Sequence, residues 1–442
     1  MKEEEWRTAR NSRSLRYAQR VLDPRRWIVL RAGRGYLSRY DGQVALLTAA
    51  NLFARMTPAV ALDIPAVRIA PPLPWAGQEL RAFTIEMMLR ADPYGKFESR
   101  AQRDGDCLVH LGPSGAPSIA HGSGWNIYLG PEPSPLPQAE AANPIGPAMA
   151  AIIATASAFK TNLEGAPEAV LLNSLNWQPE IVQESVAELS SAVELGEVWT
   201  AGTGSVGTAI LYFLTLATRS FSNTLFDMDV VGVHNLDRSP VFTHEQVEMA
   251  KAKATEAWLR GAGISNVRSE PRALDESVLW QKREAGTPDI LIAAANERNV
   301  RSVIETGFPP IQVYGTTGQH WQAAIMRHVP MKDPCSSCLF PATEFAATEC
   351  ATGEVAPSTG EERMDAALPF LSFAAGAMAA AEILKLSLPG YPFTPNRVIL
   401  NTQPSIGTVR ASLVQREGCH CQQRSQSVHR RMIAGTRFAG LS

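Results

Sequence analysis

The chain has 442 residues, 45% of them hydrophobic and 19% charged, a globular composition long enough for two or three domains. Its 41 basic and 43 acidic residues leave a net charge of −2, so no strong field argues for nucleic acid or an anionic membrane as partner. The opening MKEEEWRTAR is charged and lacks the apolar core of a signal peptide. The most apolar stretch, 366–381, contains a proline and a glycine and falls short of the ~20 residues that span a bilayer. Six cysteines, four of them in two close pairs, fit a reduced compartment and metal binding better than a disulfide framework. A soluble, cytoplasmic protein is expected.

In chain order, GQVALLTAANLFARM (42–56) reads as a strand and helix, and DCLVHLGP (106–113) as a strand whose Cys107 belongs to the core. The Ala/Met-rich run GPAMAAIIATASAFK (146–160) is matched by AGAMAAAEILKLSL (375–388), and each follows a Pro/Gly-rich loop. That pairing implies two versions of one domain, the first a degenerate copy without a glycine loop. Between them, 180–196 has the spacing of an amphipathic helix closed by Gly196. Strand and helix then alternate: EVWTAG, VGTAILYFLTLATRS, NTLFDMDVV, HEQVEMAKAKATEAWLRG, PDILIAAA and PPIQVYGTT. Such alternation predicts an α/β fold with a parallel sheet covered by helices. The expected division is 1–170 for the degenerate domain, 171–196 for a linker and helix, 197–423 for the active domain and 424–442 for a tail.

Gly202, Gly204 and Gly207 fit G-x-G-x-x-G between a predicted strand and helix. A side chain at the second glycine would keep backbone N–H groups from phosphate, and a helix N-terminus favours the anion. Asp227 lies where an acid takes ribose hydroxyls. These residues alone do not separate NAD from ATP. The following segment does, because DMDVVGVHNLDR gives D-x-D-x-x-x-x-x-N-L-x-R with a lysine thirteen residues further on. This arrangement resembles the adenylating domain of the ubiquitin-activating enzyme superfamily, which includes the ThiF and MoeB proteins, over roughly Glu197 to Gln423. The resemblance implies a Rossmann-like ThiF/MoeB-type fold. It gives Asp227 and Asp229 to the nucleotide site, with Asp227 on the ribose. Asn235, Arg238 and Lys251 would contact the phosphates or the charge developing at the α-phosphorus. Fixed cations suit the union of two anions, a carboxylate and ATP.

One position departs from the family. Its magnesium aspartate is Asn296 here, a neutral and poorer ligand for a hard dication. Cys335 and Cys338 in PCSSCLFP, with Cys419 and Cys421 in GCHCQ, suit a structural tetrahedral zinc, with a redox disulfide as the competing reading and His420 beside the site. Cys350 stands in a polar crossover loop where the family carries a thiol that attacks the acyl-adenylate to form a thioester. SLRYAQRVLD near the start is similar to the family's R-Y-x-R-Q, so Arg16 or Arg20 would reach ATP bound in the other half. The inactive half would thus complete the active one as a pseudo-dimer, leaving homodimer formation open.

The expected function is ATP- and Mg²⁺-dependent adenylation of a ubiquitin-like protein with a C-terminal glycine, then thioester formation and transfer to a conjugating enzyme. The layout is most similar to bacterial relatives in ubiquitination-like, antiphage operons, since little sequence follows Cys421 for a ubiquitin-fold domain. The alternatives are a sulfur-carrier adenylyltransferase of the ThiF/MoeB type and a nucleotide-binding pseudoenzyme or scaffold. An NAD oxidoreductase fits worst, for want of a hydride-handling base.

Overall fold

The computed structural model describes residues 2–18, 21–115, 119–162, 168–183, 188–189, 193–275, 278, 288–295, 311–318, 320–330, 332–335, 338, 368–391, 395–419, 421 and 434–441. Two sheets organise the chain. In the first, β1 (Ile28–Ala32), β2 (Ala59–Asp63), β3 (Lys96–Ser99), β4 (Cys107–Leu111), β5 (Ile119–Ser123), β6 (Asn126–Gly130) and β7 (Val170–Asn173) lie in the order 3-2-1-4-5-6-7. The second holds β8 (Glu194–Ala201), β9 (Ser220–Phe226), β10 (Val267–Glu270), β11 (Ile290–Ala293), β12 (Ile311–Gly318), β13 (Gln322–His328), β14 (Arg397–Asn401) and β15 (Gly407–Ala411), in the order 10-9-8-11-12-13-14-15. Shifted by seven strands the first order coincides with the second up to β14, and β15 is an addition at the edge of the second sheet. In each, the first five strands in chain order pair in parallel and the later ones antiparallel. The internal repeat read from two helices is therefore a repeat of topology.

Several local expectations change. The run 42–56 lies in one helix, with no strand. The helices are α1 (Glu3–Ala18), α2 (Arg34–Leu37), α3 (Tyr40–Met56), α4 (Leu80–Ala91), α5 (Ile145–Lys160), α6 (Ser205–Ala217), α7 (Lys251–Gly261) and α8 (Pro369–Leu384). The described part of 180–196 is not helical, and Gly196 lies inside β8. There the chain pairs with β9, with a register irregularity between Glu194 and Gly196. β7 and β8 accordingly overrun the expected limits at 170 and 197. The segment from His244 enters α7 only at Lys251. The first half also carries a glycine turn after all, Gly33-Arg34-Gly35, directly after β1.

Helices α3 and α5 of the first half meet α6 and α8 of the second in a common core. Small residues make this contact close. A Cβ on Gly376 of α8 would stand 2.3 Å from Ala209 Cβ of α6. Phe159 of α5 packs on Phe370 of α8 at 5.5 Å between ring centroids. Helix α8 with its following turn, Pro369–Ser387, is long and apolar enough to cross a membrane, yet 94% of its apolar window is buried in the protein. It is a core helix here.

Candidate nucleotide site

The loop after β8 sits where the strand order reverses, the usual ligand position of such sheets. Its three glycines are needed for three different reasons. Gly202 has φ +91°, and a Cβ there would meet Ala295 N at 2.6 Å. Gly207 would clash with Gly202 O at 2.0 Å, so it allows α6 to start tight against the turn. Gly204 faces open space, and as N-cap it offers no side-chain bond to the first N–H groups of α6. A helix N-terminus without a side-chain cap is the equipment for an anion.

A chain of contacts leads away from this loop. Asp227, just past β9, accepts from Thr203 N at 2.7 Å and Thr203 Oγ1 at 3.1 Å, and its other oxygen accepts from Asp229 N at 3.0 Å. Asp229 in turn pairs with Lys251 Nζ at 2.7 Å. Lys251 opens α7, where the helix dipole disfavours a cation, and Asp229 offsets that cost. Next comes His234. Burial first, then the charges of Arg238, Arg13 and Lys251, push its imidazole down to about 4, so it is neutral among three cations. Arg238 is buried, and its Nη1 donates to His234 O and to Asp237 Oδ1, both at 2.6 Å. Asn235 is also buried, its Oδ1 accepting from Gly232 N at 2.9 Å, which closes the turn.

The structure thus gathers Gly202, Gly204, Gly207, Asp227, Asp229, Asn235, Arg238 and Lys251 into one connected region. Asn296, Cys350, Arg20 and His420 lie outside the described residues, and β11 is described only as far as Ala295 beyond its end. Arg16 is exposed on α1. The arginine that α1 brings within electrostatic reach of His234 is Arg13, which the reading of the R-Y motif passed over. Its only signal in the sequence was its place one turn before Arg16.

The sulfurs of Cys335, Cys338, Cys419 and Cys421 all lie within 4.8 Å of one another and could hold a metal ion. Three of the separations are 3.5, 3.7 and 3.9 Å. A metal about 2.3 Å from four tetrahedral thiolates gives edges of about 3.8 Å, so the cluster has the right size without movement. The described cysteines are free thiols. Burial pushes Cys335 up and Cys421 up to about 12. At Cys338 burial is outweighed by hydrogen bonds, the first from Arg416 N–H, and the thiol is lowered.

A glycine turn between strand and helix, an acid after the second strand and clustered cations place the second half in the class of Rossmann-like α/β domains. The ThiF family model matches residues 182–421, more than half of the chain, and the chain belongs to that family. Residues 28–173 match the BilD N-terminal domain. A search of the curated proteins returns no match. Among solved structures, E. coli MccB with SeMet MccA shares 16% identity at a TM-score of 0.39, covering 51% of this chain and 66% of that one. E. coli MccB with ATP shares 17% identity at a TM-score of 0.38, covering 51% of this chain and 67% of that one.

Proposed function

We propose that the chain adenylates the C-terminal carboxylate of a ubiquitin-like protein at the expense of ATP. The carboxylate oxygen attacks the α-phosphorus, a P–O bond forms, the Pα–O bond to the β-phosphate breaks, and pyrophosphate leaves. On this reading the triphosphate lies against the Gly202–Gly207 turn and Asp227 takes the ribose. Arg238 and Lys251 face the charge that builds at phosphorus, where fixed cations act without reorganisation. The observation that carries the reading is the bonded run from Thr203 through Asp227 and Asp229 to Lys251, with Arg238, bonded to His234 O, in electrostatic reach of the same histidine as Lys251. Magnesium would be held mainly by the ATP phosphates, with Asn296 at the family's aspartate position. The Cys350 thiolate then attacks the acyl carbonyl, AMP leaves, and the thioester passes to a conjugating enzyme. The four-cysteine cluster holds a structural zinc, an all-thiolate tetrahedral site of the kind that ion favours.

Pyrophosphate exchange into ATP tests this, with magnesium and a panel of ubiquitin-like proteins ending in glycine. Exchange that requires one of those proteins supports the reading. Exchange without any protein substrate, or with none of the panel, contradicts it. A Cys350→Ala variant keeps exchange and forms no reducible conjugate if the thiol has the stated role.

A further inference from the structure

The segment that carries Arg238 belongs to the second half but is held by the first. Arg55 of α3 donates to three of its carbonyls, Leu236 at 2.6 Å, Pro240 at 2.9 Å and Phe242 at 3.1 Å. Asn51 Nδ2 adds a bond to Pro240 O at 3.1 Å. Helix α1 is tied down by Arg7 and Arg10, which reach the same oxygen of Asp92 at 2.9 and 2.6 Å. One turn beyond Arg10, Ser14 Oγ donates to Asp237 Oδ2 at 3.0 Å, while Asp237 Oδ1 takes Arg238 Nη1. Asp237 and Ser14 are both buried. A carboxylate kept out of water is costly unless paired and hydrogen-bonded, so one stationed here needs a partner that must stay in place.

Arg238 is that partner, and it is held on one side only. Both of its side-chain hydrogen bonds among the described residues leave from Nη1, to Asp237 Oδ1 and to His234 O. Among the described residues the Nε and Nη2 edge makes no hydrogen bond. That edge has the fork geometry that takes two phosphate oxygens at once. We propose that Asp237 is a positioning residue that fixes the guanidinium of Arg238 with its Nε/Nη2 edge presented to the ATP phosphates, and that the Ser14 hydroxyl of the first half sets Asp237. This rests on the adenylation site proposed above. It gives the inactive half a definite task, which is to aim a cation in its neighbour's site. Arg13, one residue before Ser14 on the same helix, reaches the same neighbourhood.

The test compares affinities for ATP and adenosine by isothermal titration calorimetry, since the two differ only in the phosphates and both keep the ribose hydroxyls. Sign separates positioning from mere proximity. If Asp237 were only a neighbouring charge, Asp237→Asn would remove a repelling carboxylate and tighten ATP. If it positions Arg238, the same variant weakens ATP about tenfold and leaves adenosine unchanged. Ser14→Ala should weaken ATP about threefold, and Ser14→Thr, which keeps the hydroxyl, should restore it. The Ser14 pair also decides the matter should Asp237→Asn fail to fold by circular dichroism. Arg238→Ala is the reference, expected to lose about a hundredfold for ATP alone. If Arg238→Ala has no effect, the site reading itself falls. If it has its effect while Asp237→Asn tightens or leaves ATP binding unchanged, or Ser14→Ala matches the parent, the positioning proposal is overturned.

Discussion

The same topological point occurs twice in this molecule, and the two versions differ in ways that physical chemistry can name. After β8 the chain runs Gly202-Thr203-Gly204 and enters α6 at Ser205, so the helix N-terminus stands directly on the turn. After β1 it runs Gly33-Arg34-Gly35, but the one-turn helix α2 intervenes and α3 begins only at Tyr40. The acids differ as well. Asp227 follows β9, with Phe226 in register with Ala201. In the first half Asp63 pairs in register with Arg31, two positions short of the corresponding place. Arg31 Nε sits 2.7 Å from its carboxylate, whereas β8 has buried Thr200 at the matching position. Folding needs only the layer architecture and the packed helices, which both halves have. On the proposed function, binding needs the helix N-terminus on the turn and an acid at its rim, and the first half has neither in that place.

The comparison can be tested from its largest consequence down. The second half has a four-cysteine knot, and the first has none among the described residues. Cys335→Ser, or chelation, should therefore cost about 4 kcal/mol, in line with the loss of a buried structural metal. Thermal unfolding alongside metal analysis would show this, and a full-strength Tm without bound metal would refute it.

Next come two histidines, one per half, that burial lowers furthest. Burial, with the charge of Arg39, lowers His121 to about 4, and His234 is lowered to a similar value. Their folded values lie below the unfolded one of about 6.5. The unfolded chain therefore binds more protons between those limits, so their contribution is full above pH ~6.5 and is lost as pH falls towards 4. For buried His121, whose Nδ1 sits 2.7 Å from Ser134 Oγ, this is about 3 kcal/mol. Denaturant titrations at pH 7 and pH 4.5 should show the loss, and His121→Gln should reduce it.

A smaller effect should distinguish the two turns. Gly204→Val should lower ATP affinity about a hundredfold, or about 2.7 kcal/mol, with Tm nearly unchanged, because its Cβ enters open space where the phosphates would lie. Gly35→Val, whose Cβ also meets nothing within 4 Å, should leave ATP binding as it was. Equal losses from both variants would mean that the halves share the nucleotide. The mildest contrast is Asp227→Asn, expected to cost about tenfold in affinity through a weakened ribose contact, against no change for Asp63→Asn.

What could be read from the sequence was local. The positive φ of Gly202 and the clash of Gly207 with Gly202 O arise within a few residues, and the thiol pairs announce themselves by spacing. The doubling of one domain could be inferred because two helices shared a composition suited to close packing, as at Gly376 against Ala209; the strand order could not. The end of the stretch 180–196 misled because a short run can satisfy both periods, and from Glu194 it pairs with β9 as a strand. The Gly33–Gly35 turn escaped because Ser38 stands where the pattern wants a third glycine. Ser14 and Asp237 are 223 residues apart, and no pattern along the chain marks such a bond. Arg13 escaped for the same reason, since the face α1 turns to the site is set by Arg7 and Arg10 on Asp92.

The central claim is a place for the triphosphate, and a crystal structure with a non-hydrolysable ATP analogue and magnesium tests it most directly. The account predicts phosphate oxygens on the N–H groups at Gly204 and the start of α6, the ribose on Asp227, and Arg238 meeting the phosphates through Nε and Nη2. A nucleotide seated in the first half, or one lying at the Gly202–Gly207 turn with Arg238 and Lys251 turned away from its phosphates, would contradict it.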